Sequence, residues 1–364
     1  MYGASEVLLR SSYSAHLVPS LDTVVVAAAI VYWIAQVVST LLLKDPLSVA
    51  AYNHQEMVVA PHELLTTGFI EGFASLIGFA VLIAAKLFSK VRPGGDEQWR
   101  GGTTHTFNWM QLGVVVGAGA IEGLGHGLAF KSLAHIGFSA RAGIDASGIL
   151  ITQMFALMWR LDFVDDVRFF SLFVLFIGGA LLSVDNSNDP NSATGVVLRF
   201  VSLIYNAGTM VLLQLLLRRT WGLGWGQTGL LTRIKIMALM KPASCLICLI
   251  LSGVWNPVAL TTVTGKMLAL WFLIGDIIAI ATVCEITALS RTSAVTWNIV
   301  VMFTMIPLAC FGIFDKAANK MYMWIGFGVW IVGAAIYFFA RGMETNWYIK
   351  RGMQEDPAAA KHEP

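Results

Sequence analysis

Ten apolar stretches run almost the whole length of this chain, at 21–43, 65–88, 109–130, 138–160, 164–184, 194–217, 232–254, 265–288, 293–314 and 321–340. A helix rises about 1.5 Å per residue, so roughly 20 apolar residues cover the ~30 Å hydrocarbon core of a bilayer. Lipid offers no partner to backbone N–H and C=O groups, and runs of this length leave the helix as the structure that satisfies them internally. The pattern predicts an all-α integral membrane protein with ten transmembrane helices. Composition agrees, because 57% of the 364 residues are hydrophobic and only 13% are charged, against about 25% charged in soluble domains. A net charge of +2, without any basic patch interleaved with aromatics, argues against nucleic acid as a partner.

Charge also orients the chain. With basic residues at span ends assigned to the adjoining connection, 16 Lys/Arg fall on the side of the N-terminus and 5 on the other. The positive-inside rule then places both termini in the cytosol. The first twenty residues lack the charged, apolar, small-residue order of a cleaved signal peptide.

A faint internal repeat accompanies this layout. Residues 175–182, LFIGGALL, resemble 330–337, WIVGAAIY, at an offset of 155. Ser139-Ala140 and Ser293-Ala294 open the fourth and ninth spans at an offset of 154. Two halves of five spans each must enter the membrane with opposite polarity, which is the inverted-repeat plan of alternating-access carriers. The expected organisation is a cytosolic segment 1–20, a first five-helix repeat 21–184, a linker 185–193, a second repeat 194–342 and a polar cytosolic tail 343–364.

Several charges interrupt the apolar spans. Arg141 and Asp145 are four residues apart and share a helix face. They are either an ion pair with Arg141 reaching toward the headgroups, or a frame in which Asp145 faces a cavity; a charge near a helix centre costs about 2.5–3.5 kcal/mol on insertion scales and usually faces such a cavity. Glu122 and His126 have the same spacing. They fit a polar helix contact or a proton relay, but two metal ligands without a third do not make a metal site, and no metal or cofactor is expected. Glycines at 113, 117, 119, 123 and 127 predict close packing of that helix.

Lys241 precedes Pro242, which predicts a kink of the kind found at carrier binding sites. It is the candidate contact for a substrate anion, whereas Arg199, near the start of its span, is expected to snorkel. The deep charges Glu71, Glu122, Asp145, Lys241, Asp276 and Glu285 comprise five acids and one base, a balance suited to a cation or to proton coupling. The four cysteines lie in apolar spans, and the Cys245–Cys248 pair lacks the context of a zinc or redox motif. No nucleophilic triad or paired-carboxylate spacing of a hydrolase is present, so enzymatic activity is not expected. An intramembrane metal enzyme built on Glu122 and His126, or a scaffold without transport, are the alternatives.

The last third of the chain carries a resemblance. EITALSRTSAVTWNIVVMFTMIPLACFGIF, followed by a short charged turn and WIGFGVWIVGAAIYFFAR, resembles the final helices of the drug/metabolite transporter superfamily, in its triose-phosphate and nucleotide-sugar translocator branch. The residues that carry it are Thr292, Ser293, Ala294, Val295, Thr296 and Asn298 of the ninth span. Ser139, Ile144, Ala146 and Ser147 of the fourth and Ile204, Tyr205 and Asn206 of the sixth agree with the same pattern.

The resemblance implies a carrier or antiporter for nucleotide sugars or sugar phosphates, in a Golgi, endoplasmic reticulum or plastid envelope membrane. Its motif positions include Asp145, Asn298, Thr304 and Tyr205, and together with Arg141 and Lys241, read from their own chemistry, these are the expected substrate-binding residues, with Glu122 and His126 as proton-coupling candidates. Its partners are a small solute and the lipid bilayer, with a homodimer as the assembly compatible with it. One departure stands out. The family's phosphate-binding lysines of the fourth and ninth helices are replaced here by Asp145 and Thr304, and Gly148-Ile149 stands where a proline follows. A carboxylate repels a phosphate, so the residues themselves point to a cationic, zwitterionic or neutral solute.

Overall fold

The computed structural model describes residues 23–52, 63–91, 107–133, 135–136, 138–159, 161–162, 165–182, 193–217, 229–255, 263, 265–306 and 320–355. Among them the chain forms ten helices and no strand. These are α1 Thr23–Tyr52, α2 Glu63–Val91, α3 Trp109–Leu133, α4 Phe138–Met158, α5 Asp166–Leu182, α6 Ala193–Leu217, α7 Leu230–Trp255, α8 Gly265–Leu289, α9 Ala294–Met302 and α10 Lys320–Glu355. Each overlaps one expected span. The segment 1–20, residues 185–192 of the linker, residues 356–364 of the tail and Cys310 lie outside the described residues.

Seven helices (α1, α2, α3, α6, α7, α8 and α10) are long and apolar enough to cross a bilayer. The other three are shorter. The apolar part of α4 is Gly143–Met158, which contains Asp145, and α5 has 17 residues. Helix α9 ends after nine residues, short of the expected end at 314. Pro307 follows in the sequence and has no N–H with which to continue the helical bonding. The chain tightens ahead of it, with Phe303 and Thr304 donating three residues back to Val300 and Val301 at 3.1 and 3.0 Å. In the other direction, α1 and α10 run beyond the expected ends at 43 and 340.

Pro242 lies inside α7, which continues through it. The missing N–H frees the carbonyl of Ala238, four residues earlier. Ser75 of α2 donates its hydroxyl to that carbonyl at 3.3 Å, the repair by a neighbouring helix that lipid-embedded prolines require.

Apolar side chains face outward: Ile34, Leu76, Ile83, Phe170 and Phe339 are all exposed. Charged ones are buried, among them Glu71, Glu122, Asp145, Arg199, Lys241 and Arg341. A bilayer demands this distribution.

The main neighbour pairs are α5 with α10, α2 with α7, α3 with α6 and α7, α8 with α1 and α2, and α4 with α5, α6 and α9. At the α5–α10 seam a Cβ on Gly178 would lie 2.9 Å from the backbone nitrogen of Trp330. A Cβ on Gly333 would lie 2.9 Å from that of Leu175. These are one contact made twice, with the helices exchanged at the 155-residue offset seen in the sequence.

Helix α9 starts on a cap. The Ser293 hydroxyl accepts from Thr296 N–H at 3.2 Å, and Ala294 N–H donates to Gln214 Oε1 at 3.1 Å. Buried Arg341 of α10 donates to Ser293 at 2.7 Å and to Tyr337 at 3.2 Å, and also to Thr296. The Ser293 and Thr296 of the translocator-like motif therefore hold the helix start in place.

Candidate functional site

Four ionisable side chains converge from three helices. Lys241 of α7, 0% exposed, places its ammonium 2.7 Å from Oε2 of Glu71 on α2 and 2.9 Å from Oε1 of Glu122 on α3. The Glu122 contact is a directed hydrogen bond, whereas the Glu71 contact is an ion pair off the hydrogen-bond direction. The other oxygen of Glu71, Oε1, lies 2.9 Å from His126 Nδ1. Glu71 is 1% and the His126 side chain 38% exposed, so the imidazole is the open edge of the cluster. Glu285 of α8 is near enough to interact electrostatically with all four. Tyr32 of α1, bonded to Gln36, lies in the field of Glu122 and Glu285.

The depth follows from helix register. Lys241 and Glu122 sit near the middle of the spans Leu230–Ser252 and Trp109–Ser132, and Glu71 about two turns into Leu64–Leu87. The cluster thus lies near the middle of these apolar spans, a depth at which charges in lipid persist only when paired or facing water.

Backbone packing puts it there. Gly119, Gly123 and Gly127 recur every four residues on one stripe of α3; the first two oppose Met240 and Ser244 of α7, and Gly127 meets Leu64 of α2 with Cys248 Sγ of α7 at 3.8 Å from its would-be Cβ. A Cβ at Gly119 would collide with the Met240 carbonyl, and one at Gly123 would lie 2.7 Å from the Ser244 carbonyl. The Cys248 thiol donates to the Gly123 carbonyl at 3.2 Å. With the two backbones touching, Glu122 and Lys241 meet directly. Gly113 and Gly117 have open space where a Cβ would go and Gly127 packs mainly on Leu64, so two of the five expected glycines make the backbone seam with α7. Gly123→Val is expected to overpack it and cost about 1–3 kcal/mol, lowering the melting temperature, while Gly117→Val leaves it unchanged. Equal melting temperatures for the two variants would exclude the seam.

Asp145 and Arg141 belong to a second cluster, with a different principal partner from the expected one. Arg199 Nε of α6 donates to Asp145 Oδ1 at 2.5 Å, whereas Arg141 Nε lies 3.7 Å from Oδ2. Arg199 is buried, with a further bond to Ser202 at 3.3 Å. Two turns into α6, it meets the carboxylate at the same depth in α4 and does not snorkel.

The remaining expected site residues are distributed around the bundle. Asn298 Nδ2 donates to Thr152 Oγ1 at 2.8 Å and joins α9 to α4. Buried Thr304 bonds the Val301 carbonyl at 2.7 Å. Tyr205, with Asn206, packs against α3 at Gly125. Lys241, the expected candidate contact for a substrate anion, is enclosed by two carboxylates. Glu71 was legible only as a deep acid; its partners come from α3 and α7, remote in sequence.

No protein-family profile and no curated protein matches the chain. Among solved structures 28 chains match. One of them, titled only as the crystal structure of a protein, has a TM-score of 0.54 and is 14% identical, covering 85% of this chain and 98% of its own. At that identity the likeness bears on the fold alone, and it extends over nearly the whole bundle.

Proposed function

We propose that the chain is a membrane carrier of the drug/metabolite transporter type. Two inverted five-helix halves expose a central site, formed by Glu71, Glu122, His126 and Lys241, to one side of the membrane at a time. The observation that carries this reading is the buried cluster near the middle of its apolar spans, since charges at that depth mark solute and proton pathways. Packing supports the two halves. Replacing each of α1–α5 by the helix five places later, and the reverse, turns the α3–α6 pair into α8–α1 and the α3–α7 pair into α8–α2. The pairs α2–α7, α4–α9 and α5–α10 map onto themselves. The translocator-like residues of α4, α6 and α9 support the same assignment, and the basic-residue asymmetry supports cytosolic termini in an endomembrane or plastid envelope.

The favoured solute is cationic or zwitterionic, moved with coupling to protons through Glu122 and His126. Two carboxylates, Glu71 and Glu122, bracket one ammonium in the field of a third, Glu285, and a solute cation or a proton can take up the excess negative charge. A sugar phosphate or nucleotide sugar is the second reading. It is favoured by the pairing of two guanidiniums, Arg141 and Arg199, with one carboxylate, and by the buried Arg141 Nε that has no hydrogen-bond partner.

Counterflow in proteoliposomes tests both. Amines or amino acids are expected to exchange, with uptake driven by an outward proton gradient and lost in Glu122→Gln. Exchange of sugar phosphates alone would reverse the order of the two readings, and no exchange of any solute would sink the carrier.

A further inference from the structure

Glu122 and His126 present two metal-ligand types one turn apart on α3, and the fold brings Glu71 of α2 to them as a third. One ligand atom from each lies within 4.8 Å of the other two. Two further observations point to a ligand here. The buried Glu122 Oε2 has no hydrogen-bond partner, so a lone-pair donor is held unused inside the bundle. The space between the carboxylates is also occupied by a cation already, the Lys241 ammonium at 2.7 and 2.9 Å.

We infer that Glu71, Glu122 and His126 form a binding site for a divalent transition-metal ion, which competes with the Lys241 ammonium for the two carboxylates. One imidazole nitrogen with two carboxylate oxygens and an open fourth position is a ligand set for zinc, cobalt or manganese. Magnesium keeps several waters and takes oxygen ligands, so the imidazole selects against it. Tetrahedral zinc with bonds of about 2.0 Å holds its ligand atoms roughly 3.3 Å apart. The His126–Glu71 pair is already inside that separation, and side-chain rotation closes the rest. The half-exposed imidazole lies at the open edge of the three. As cargo, the ion names one solute class for the carrier and rests on that reading; as a bound ligand, it is tested without transport.

The experiment is a Co2+ titration of the full-length protein in detergent, read by visible absorption and by melting temperature. Wild type is expected to develop the ligand-field bands of a nitrogen- and oxygen-bound cobalt ion and to lose them on adding Zn2+. It is expected to melt at a higher temperature with Zn2+, since a ligand of the folded state stabilises it, but not with equal Mg2+. His126→Ala, at the open edge of the cluster, and Glu122→Gln, which keeps an oxygen acceptor for Lys241, are each expected to lose the cobalt bands. No bands in wild type, or undiminished bands in both variants, would overturn the site. Cobalt bands with no zinc or organic-solute uptake by proteoliposomes would keep the site and overturn the carrier. Proton-driven uptake of an organic cation without cobalt bands would do the reverse.

Discussion

Lys241→Met is expected to destabilise the protein by about 3–5 kcal/mol, although methionine matches lysine in length and apolar bulk. The side chain is 0% exposed and its ammonium bridges Glu71 and Glu122. Without it, two carboxylates deep in the apolar spans face each other with no cation between them except a protonated His126. They must take up protons or pull the helices apart to reach water. The loss belongs to the stranded charges more than to the lysine, because replacing a whole buried ionic group by neutral residues is often tolerated. The triple variant Glu71→Gln, Glu122→Gln, Lys241→Met is therefore expected to regain much of the melting temperature while transporting nothing. Thermal unfolding of the detergent-solubilised variants decides it. A Lys241→Met protein that melts with wild type would show that the cluster holds nothing together.

Asp145→Ala is expected to cost a similar ~3–5 kcal/mol by leaving Arg199 charged and buried. Arg199→Ala is expected to match it from the other side. Arg141→Gln is expected to cost less than about 1 kcal/mol, because its contact with Asp145 is long and its side chain is 22% exposed. Asp145→Lys would set three cations together and is expected not to accumulate as folded protein. The ranking of melting temperatures is the measurement. Equal losses for Arg141→Gln and Arg199→Ala would mean that the carboxylate is shared, and would remove the Arg199 pair as the dominant contact.

The contrast between these two arginines shows what local sequence can and cannot carry. Spacing alone placed Arg141 and Asp145 on one face of α4, and they are. It could not weigh Arg199, 54 residues away, which takes the shorter bond. Likewise Glu122 and His126 share a face of α3, but their ion-pair and hydrogen-bond partners, Lys241 and Glu71, come from α7 and α2. The spans themselves were legible because lipid imposes a length and an apolar composition on each segment alone. Partner choice is set by which helices touch, and the four-residue glycine stripe of α3 announced a close contact without naming α7. Pro242 was read as a kink. The helix runs on because Ser75, on another helix, takes the freed carbonyl, information that no window around the proline contains.

The Asp145–Arg199 pair has a consequence for how the chain is made. Helices leave the ribosome in order, so the fourth reaches the translocon carrying Arg141 and Asp145 well before the sixth exists to supply Arg199. Asp145, within a turn of the middle of α4, then costs up to about 2.5–3.5 kcal/mol with only the long Arg141 contact to offset it, and α4 settles poorly in lipid unaided. Nascent chains stalled after the fifth helix are expected to leave the fourth loosely inserted and open to glycosylation or protease at engineered sites. Chains released after the sixth are expected to protect it. Membrane insertion of this protein is in that sense a delayed assembly, in which a later helix completes the integration of an earlier one.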